Sequence, residues 1–570
     1  MNKKIIFCAA FLFSFSVMLT SCSDLLDTDS ELVEYQEDNR LQSPTDSVYS
    51  VMGIIYKLQA IADRTVLLGE LRGDLTYYTP SATKDLKDIA DFTVQEGNAY
   101  NRISDYYAVI NNCNYYLENI NTELQKNGRY VFESEYAAVK AFRAWTYLQL
   151  VLNYGEVPLV LKPVLTEEEA KAAMEQTPVD INTICTTFIN DLKPYVDVRL
   201  PRIENIDNLL PTTKFFIPIR ALLGDLCLWS GDYAEAARYF HDYLSKTTAP
   251  VITYRENSYW PDENTKEFLQ NPRNNFDFST NSDECLCFIP MESNEFYGIK
   301  SELDNIFNST DINFGYAQIE PTKSLMQISA KQTYCTTVTA SEGAKPDTIY
   351  APKENLKKDI YKGDLRLCTV YDHEVFSKNR YGRSSNEIQT IEKISRRGVT
   401  LYRTNIVYLH YAEALNLAGY PQSAFAVLKH GLYPEAVSKY IDSTEVAKAG
   451  QLISFDALLF TKNNTQGVHS RGCGKAECDT VYFVMPQPAT ALANRADTVA
   501  YQQEKVDSII SDELALETAF EGQRYYDLMR RAIRRNDNSI LATPIANRNG
   551  TFDSNIYTML MNRKNWYLKK

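Results

Sequence analysis

At 570 residues, with 44% hydrophobic and 23% charged positions, the chain is long enough for a large packed core and too apolar for a disordered one. A formal net charge of -14 argues against nucleic acid or an anionic membrane surface as the main partner. Tyrosine is unusually common, at 39 residues, and supplies aromatic surface with a polar rim.

The first 21 residues read as a signal peptide: Lys3 and Lys4 precede an apolar run over 5–19, shorter than the roughly 20 residues a membrane-spanning helix needs. The run ends in Leu19-Thr20-Ser21-Cys22, which resembles a bacterial lipobox and makes Cys22 the expected lipidation site. Acylation there would hold the protein to a membrane durably, because several chains act together. Residues 22–44 form a lipidated, acidic tether, and 45–570 are expected to fold as a single domain.

That domain opens with a helix at about 45–62, after Pro44. A connecting region over 63–97 carries LLGELRGDLTYYTP, and a second helix follows at about 100–120. The helix at 135–154 is apolar on nearly every side from Trp145 to Leu152, so neighbours must bury it all round. Arg143 interrupts that surface and needs a carboxylate or carbonyl partner. Gly155 is suited to end the helix, and another helix is expected over 179–195.

Within 213–245 two helices flank a turn at Gly231, with Gly224 seven residues before it, Ala236 five after and Phe240 nine after. A second copy of these offsets lies in 401–432, around Gly419, Ala412, Ala424 and Leu428. Small residues at such positions let antiparallel helices approach closely, and the pattern resembles a tetratricopeptide pair. Four pairs are expected: 45–62 with 100–120, 135–154 with 179–195, and the two halves of 213–245 and of 401–432. Between the last two, 247–398 shows little periodicity and is expected to be irregular and functional. No element is assigned to the 433–510 insertion before a last helix at about 506–535.

No G-x-S-x-G, H-E-x-x-H, phosphate-loop or G-x-G-x-x-G pattern occurs, and the five histidines are scattered. His410, inside a repeat helix, is expected to pack rather than catalyse. Once Cys8 and Cys22 are set aside, nine cysteines remain. Cys473 and Cys478 are close enough for a small disulfide or stand as two thiols, and with His469 they lack a fourth metal ligand. Neither enzymatic activity nor a metal or other cofactor is expected.

Several segments together resemble the SusD/RagB family of outer-membrane lipoproteins. They are Cys22-Ser23-Asp24-Leu25-Leu26-Asp27; Lys140-Ala141-Phe142-Arg143-Ala144 running on to Tyr154-Gly155-Glu156-Val157-Pro158-Leu159; and Ile189-Asn190-Asp191-Leu192. Gly363-Asp364-Leu365-Arg366-Leu367 is similar to a family segment, and so is the series from Phe520 through Glu521, Gly522, Gln523, Arg524, Tyr525, Tyr526 and Asp527 to Arg530. The chain ends in Asn565-Trp566-Tyr567-Leu568 without the family's usual proline. The resemblance implies a mostly α fold, with four tetratricopeptide-like helix pairs packed against an irregular, loop-rich, ligand-facing half. It also implies a cell-surface lipoprotein that lids a SusC-like, TonB-dependent barrel and delivers oligosaccharides to it, or peptides in some branches. A structural or adhesive surface protein, using its helix repeats for protein contacts alone, is the alternative of another class.

The charged signature residues Arg143, Asp364, Arg366, Glu521, Arg524 and Asp527 sit in apolar or glycine-bearing contexts and are expected to pair internally. Ligand contacts are expected from aromatics outside the repeats, whose faces stack on sugar C–H surfaces. The candidates are Tyr77 and Tyr78 in the first irregular region (63–97), and Tyr259, Trp260, Phe296, Tyr297, Phe314 and Tyr316 in the second (247–398).

Overall fold

The computed structural model describes residues 41, 43–203, 211–247, 279–280, 282–293, 296–307, 317–338, 345, 347–350, 363–372, 390–391, 393–394 and 397–570. Cys22 and the signal peptide, with Tyr259, Trp260, Phe314 and Tyr316, lie outside them.

The fold is mostly helical. Helix α1 (Pro44–Leu71) begins where Ser43 accepts a hydrogen bond from the Asp46 amide, with proline in the first turn. It runs nine residues beyond the expected end at 62 and takes LLGEL out of the connecting region. Gly69 is no breaker there, because another backbone segment packs directly on it: a Cβ at Gly69 would lie 1.8 Å from the carbonyl oxygen of Gly522.

Helices α2 (Ile103–Asn119), α3 (Glu133–Tyr154), α4 (Ile181–Leu192), α5 (Ile219–Ser230) and α6 (Tyr233–Thr247) follow, and each packs on its predecessor. Helix α3 is the central member. Its Arg143 donates to Asp191 on α4 and to Asn114 on α2, both at 2.9 Å, while Lys140 also reaches Asp191. One cationic stripe on an apolar helix is thereby matched by both neighbours. The α5–α6 turn has Gly231 in the left-handed conformation at φ +86°. Behind it the ring of Phe240 lies directly on Gly224, where a Cβ would come within 2.4 Å. Ala236 is fully buried nearby.

Helix α7 (Thr404–Leu417) packs on α6 across the intervening segment, and α8 (Pro421–Lys429) returns along α7. Ala412 and Ala424 are fully buried in these two helices. The expected last helix is in fact two, α9 (Arg495–Thr518) and α10 (Arg524–Arg535). Phe520 and Gly522 break it at positive φ, +70° and +82°, so that Gly522 can lie against α1. Helix α9 also starts within the unassigned insertion, with Asn494 accepting from the Asp497 amide, and packs on α7 and α8. Shorter helices at Pro434–Tyr440 and Ser443–Ala449 occupy more of that insertion.

Strands appear where none was expected. Strand β1 (Thr76–Tyr78) pairs antiparallel with β3 (Ile319–Pro321), matching Tyr77 to Glu320 and Tyr78 to Ile319. Strand β2 (Cys285–Pro290) pairs antiparallel with β4 (Gly398–Arg403), irregularly beyond Thr400. Both β2 and β4 are buried on nearly every residue, so neither alternates in the manner that would reveal it. Cys473 and Cys478 do not form a disulfide with each other, and the Cys473 thiol points to the Asp364 carboxylate at 3.5 Å.

Candidate functional site

The irregular face is held to the helices by charge. At the end of α1, Glu70 accepts the Gly522 amide at 2.8 Å. Burial pushes its carboxyl up to about 7 despite that hydrogen bond. Two residues on, the buried Arg72 guanidinium donates to Leu68, Asn153, Tyr526 and the Trp566 carbonyl, and lies 4.3 Å from the Tyr525 ring. Asp74 is gripped by Arg524 through two hydrogen bonds, of 2.6 and 3.1 Å. Three consecutive charged positions of ELRGD thus lock onto the FEGQRYY segment.

A second buried cluster ties the middle of the chain to the same helices. Arg366 donates to Asp364, to Glu513 and to Glu517, the last two on α9. Glu517 and Glu521 in turn pair with Arg403, and Glu521 also with Lys393. Asp527 pairs with Arg530, which also clamps Glu413 on α7. His469 donates from Nδ1 to Glu513 at 2.6 Å and stacks on Phe483 at 3.6 Å, so its ring serves packing. Among the described residues no group of three or more His, Cys, Asp or Glu side chains is arranged to hold a metal.

On this frame sits a tyrosine pair. Tyr77 and Tyr78 stack with centroids 4.1 Å apart and planes inclined by 27°. Their phenols donate to the two oxygens of Asp91, at 3.1 and 2.9 Å. Burial and the hydrogen bond with Tyr78 raise the Tyr77 phenol above its ordinary range, so it stays a donor. Arg548 lies 4.4 Å from the Tyr77 ring while donating to Leu71, Gly73 and Ala90 carbonyls. Tyr78 is the less buried of the two. Adjacent strand residues ordinarily point to opposite faces. Here Asp91 gathers both onto one side.

The two irregular regions meet at this pair. Through β1 and β3 the chain just after Tyr316 is fixed beside it: Thr79 donates to the Ala317 carbonyl at 2.6 Å, and Gln318 accepts from the Thr83 amide at 3.0 Å. Tyr297 is 93% exposed. Its loop is nonetheless fastened, because Gln59 on α1 donates to Pro290 and accepts from Ile299, and Gly298 leaves room for that amide. Phe296 has gone the other way, into the core against Phe215 at 5.7 Å, which removes its ring from the surface.

Residues the sequence did not single out also belong to this face. Asp63 accepts from Ser301 at 2.7 Å and from the Glu302 amide at 2.8 Å, and burial lifts its carboxyl to about 6. Tyr100 donates to Glu302 at 3.4 Å, and Tyr56, one turn before Gln59, is half exposed. Only the helical spacing of Tyr56, Gln59 and Asp63 on α1 could have marked them.

A profile of the SusD family matches residues 485–568, the stretch that carries α9, the Phe520–Gly522 break and the carboxyl-terminal contacts to Arg72. Over this stretch the chain is similar to the SusD/RagB family. A SusD-like protein, P25, from Formosa agariphila is 27% identical over 198 residues, covering 32% of this chain and 35% of that protein. The match therefore spans about a third of the relative's length. A SusD-like carbohydrate binding protein from Bacteroides fragilis superposes with a TM-score of 0.54 at 18% identity, over 88% of each chain. A protein from Bacteroides vulgatus, described as a sugar binding protein, gives 0.51 at 17% identity, over 87% of this chain and 88% of its own. At those identities the two structures establish a SusD-like fold and nothing finer. Among the described residues no helix is long and apolar enough to cross a membrane.

Proposed function

We propose that the protein is a cell-surface lipoprotein that binds oligosaccharides and passes them to a SusC-like, TonB-dependent barrel in the outer membrane. The observation that carries the binding half is the Tyr77–Tyr78 stack, squared up by Asp91 and set where both irregular regions converge. Rings fixed in place lose little conformational freedom when a sugar face settles on them. The related carbohydrate-binding proteins of the same fold support a glycan as the cargo. Tyr297, Tyr259, Trp260 and Tyr316 are the further candidates for ligand contact. Its role is capture rather than catalysis.

The lipobox-like Cys22 supplies the attachment, and residues 22–44 the tether that lets the domain sit over a barrel. Shallow stacking of this kind gives dissociation constants of roughly micromolar to millimolar, and weak holding suits a carrier that must release. Glycan-array binding by the mature chain tests the reading. Binding that Tyr78→Ala weakens roughly tenfold supports it. Binding to protein digests with none to polysaccharides would instead make the cargo a peptide, and failure to co-purify with a barrel would remove the delivery step.

A further inference from the structure

A pocket of about 210 Å³ opens between the end of α1, the segment 89–94 and the carboxyl-terminal tail. That is room for a single ring, since even a cavity of about 150 Å³ admits benzene. Segment 89–94 faces two ways. Asp91 turns its carboxylate to Tyr77, Tyr78 and Arg548, whereas Ile89, Phe92 and Val94 line the pocket. Phe92, with Met559 and Tyr567 from the tail, lines it while only half-buried, so apolar surface is left for an occupant to cover. Phe92 also holds φ at +57°, a left-handed conformation uncommon for a bulky side chain, and its ring lies 6.1 Å from that of Tyr525.

The charge on the lining is all of one sign. Arg72, Lys564 and Lys569 contribute to it, and among the described residues no Asp or Glu does. In a chain of net charge -14 that is a local reversal. Arg72 is 1% exposed, and its nitrogens are taken up by Leu68, Asn153, Tyr526 and Trp566, all uncharged. A guanidinium out of water without a counter-charge is costly. Its nitrogens touch no ligand, but its charge acts through the low-dielectric wall on the space beside it. Lys564 and Lys569 are exposed, and neither ammonium has a carboxylate partner among the described residues. Glu156 follows the glycine on which the Tyr567 ring lies and stays outside the lining.

We infer that this pocket binds a small amphiphilic anion, a single ring or short aliphatic chain bearing one carboxylate. Its apolar body lies against Phe92 and Met559, and Lys564 and Lys569 hold the carboxylate. The site does not depend on glycan binding at the tyrosine pair. An acidic sugar shares the charge but not the apolar body, so the two are separable.

Titration calorimetry on the mature protein uses benzoate and hexanoate, which differ in the apolar body, with benzyl alcohol and hexanol as neutral counterparts. The expected result is saturable binding of at least one carboxylate, roughly tenfold tighter than its alcohol. Lys564→Gln and Lys569→Gln, both at exposed positions, are each expected to weaken it roughly threefold, and together roughly tenfold, with Tm unchanged. Tyr78→Ala is expected to leave it unaltered. Absence of saturable binding by either carboxylate would overturn the inference, and so would equal affinity for acid and alcohol. Binding lost in Tyr78→Ala but kept in the double lysine variant would move the ligand to the tyrosine pair and overturn it too. D-glucuronate binding more tightly than both carboxylates would overturn the assignment of an apolar body.

Discussion

Gly69 and Gly522 are set back to back, more than 450 residues apart in sequence, with the Gly522 carbonyl occupying the place where a Gly69 side chain would begin. Gly522 is itself pressed onto α1, since a Cβ there would come 2.1 Å from the Thr65 carbonyl, and its φ of +82° favours glycine independently. Replacing either by alanine forces backbone against backbone. Gly69→Ala and Gly522→Ala should each lose about 3 kcal/mol or more in urea unfolding. Gly53→Ala, on the same helix with nothing within 4 Å, should be neutral or gain up to about 1 kcal/mol.

The Arg366 cluster should be intolerant of losing its cation. Arg366 is buried among Asp364, Glu513 and Glu517, and its removal takes the cation from Asp364 while leaving Glu513 to His469 and Glu517 to Arg403 and Arg471. Arg366→Met is expected to cost about 3 to 5 kcal/mol, measured by chemical denaturation. Arg220→Met, whose partner Asp197 is exposed, should cost less than about 1 kcal/mol.

Glu70 predicts an unusual pH response. Its carboxyl titrates at about 7 in the folded protein against an ordinary value of 4.5. Below 4.5 it is protonated in both states. Between there and about 7 the folded protein keeps a proton that the unfolded chain has released, so stability falls as pH rises through that window. Glu70→Gln should remove this slope, gaining about 3 kcal/mol over the wild type between the two ends of the window. Denaturation midpoints at pH 4.5 and pH 7.5 for both proteins check it, and equal slopes would refute it.

The tyrosine pair predicts separable effects on binding. Tyr78→Ala removes the outer ring and should weaken a bound glycan roughly tenfold, about 1.4 kcal/mol. Asp91→Asn keeps the rings but loosens their alignment, and should weaken it less. Titration calorimetry on whichever glycan the array identifies distinguishes them. Phe296→Leu, by contrast, alters core packing and should change Tm without changing affinity.

Much of the helical framework could be read from the chain, because α3 is apolar all round and the turns at Gly231 and Gly419 repeat their small-residue offsets. What escaped were features set by distant partners. Residues 63–71 look like a linker until Gly522 is seen to shelter Gly69. Strands β2 and β4 do not alternate, since both faces are covered. In the candidate face, Tyr77 and Tyr78 were legible as aromatics outside the repeats, whereas Asp91, Arg548 and Gln59 act only through contacts that no local pattern encodes. Phe296 and Tyr297 differ by a single position, and only the packing of Phe215 decides which of them turns inward.

The Arg72 guanidinium takes its partners from Asn153, Tyr526 and Trp566. Synthesis delivers those partners in that order, Trp566 coming 494 residues after Arg72 itself. The opening helix therefore waits, with a charge it cannot yet bury, until the tail arrives to close the ring.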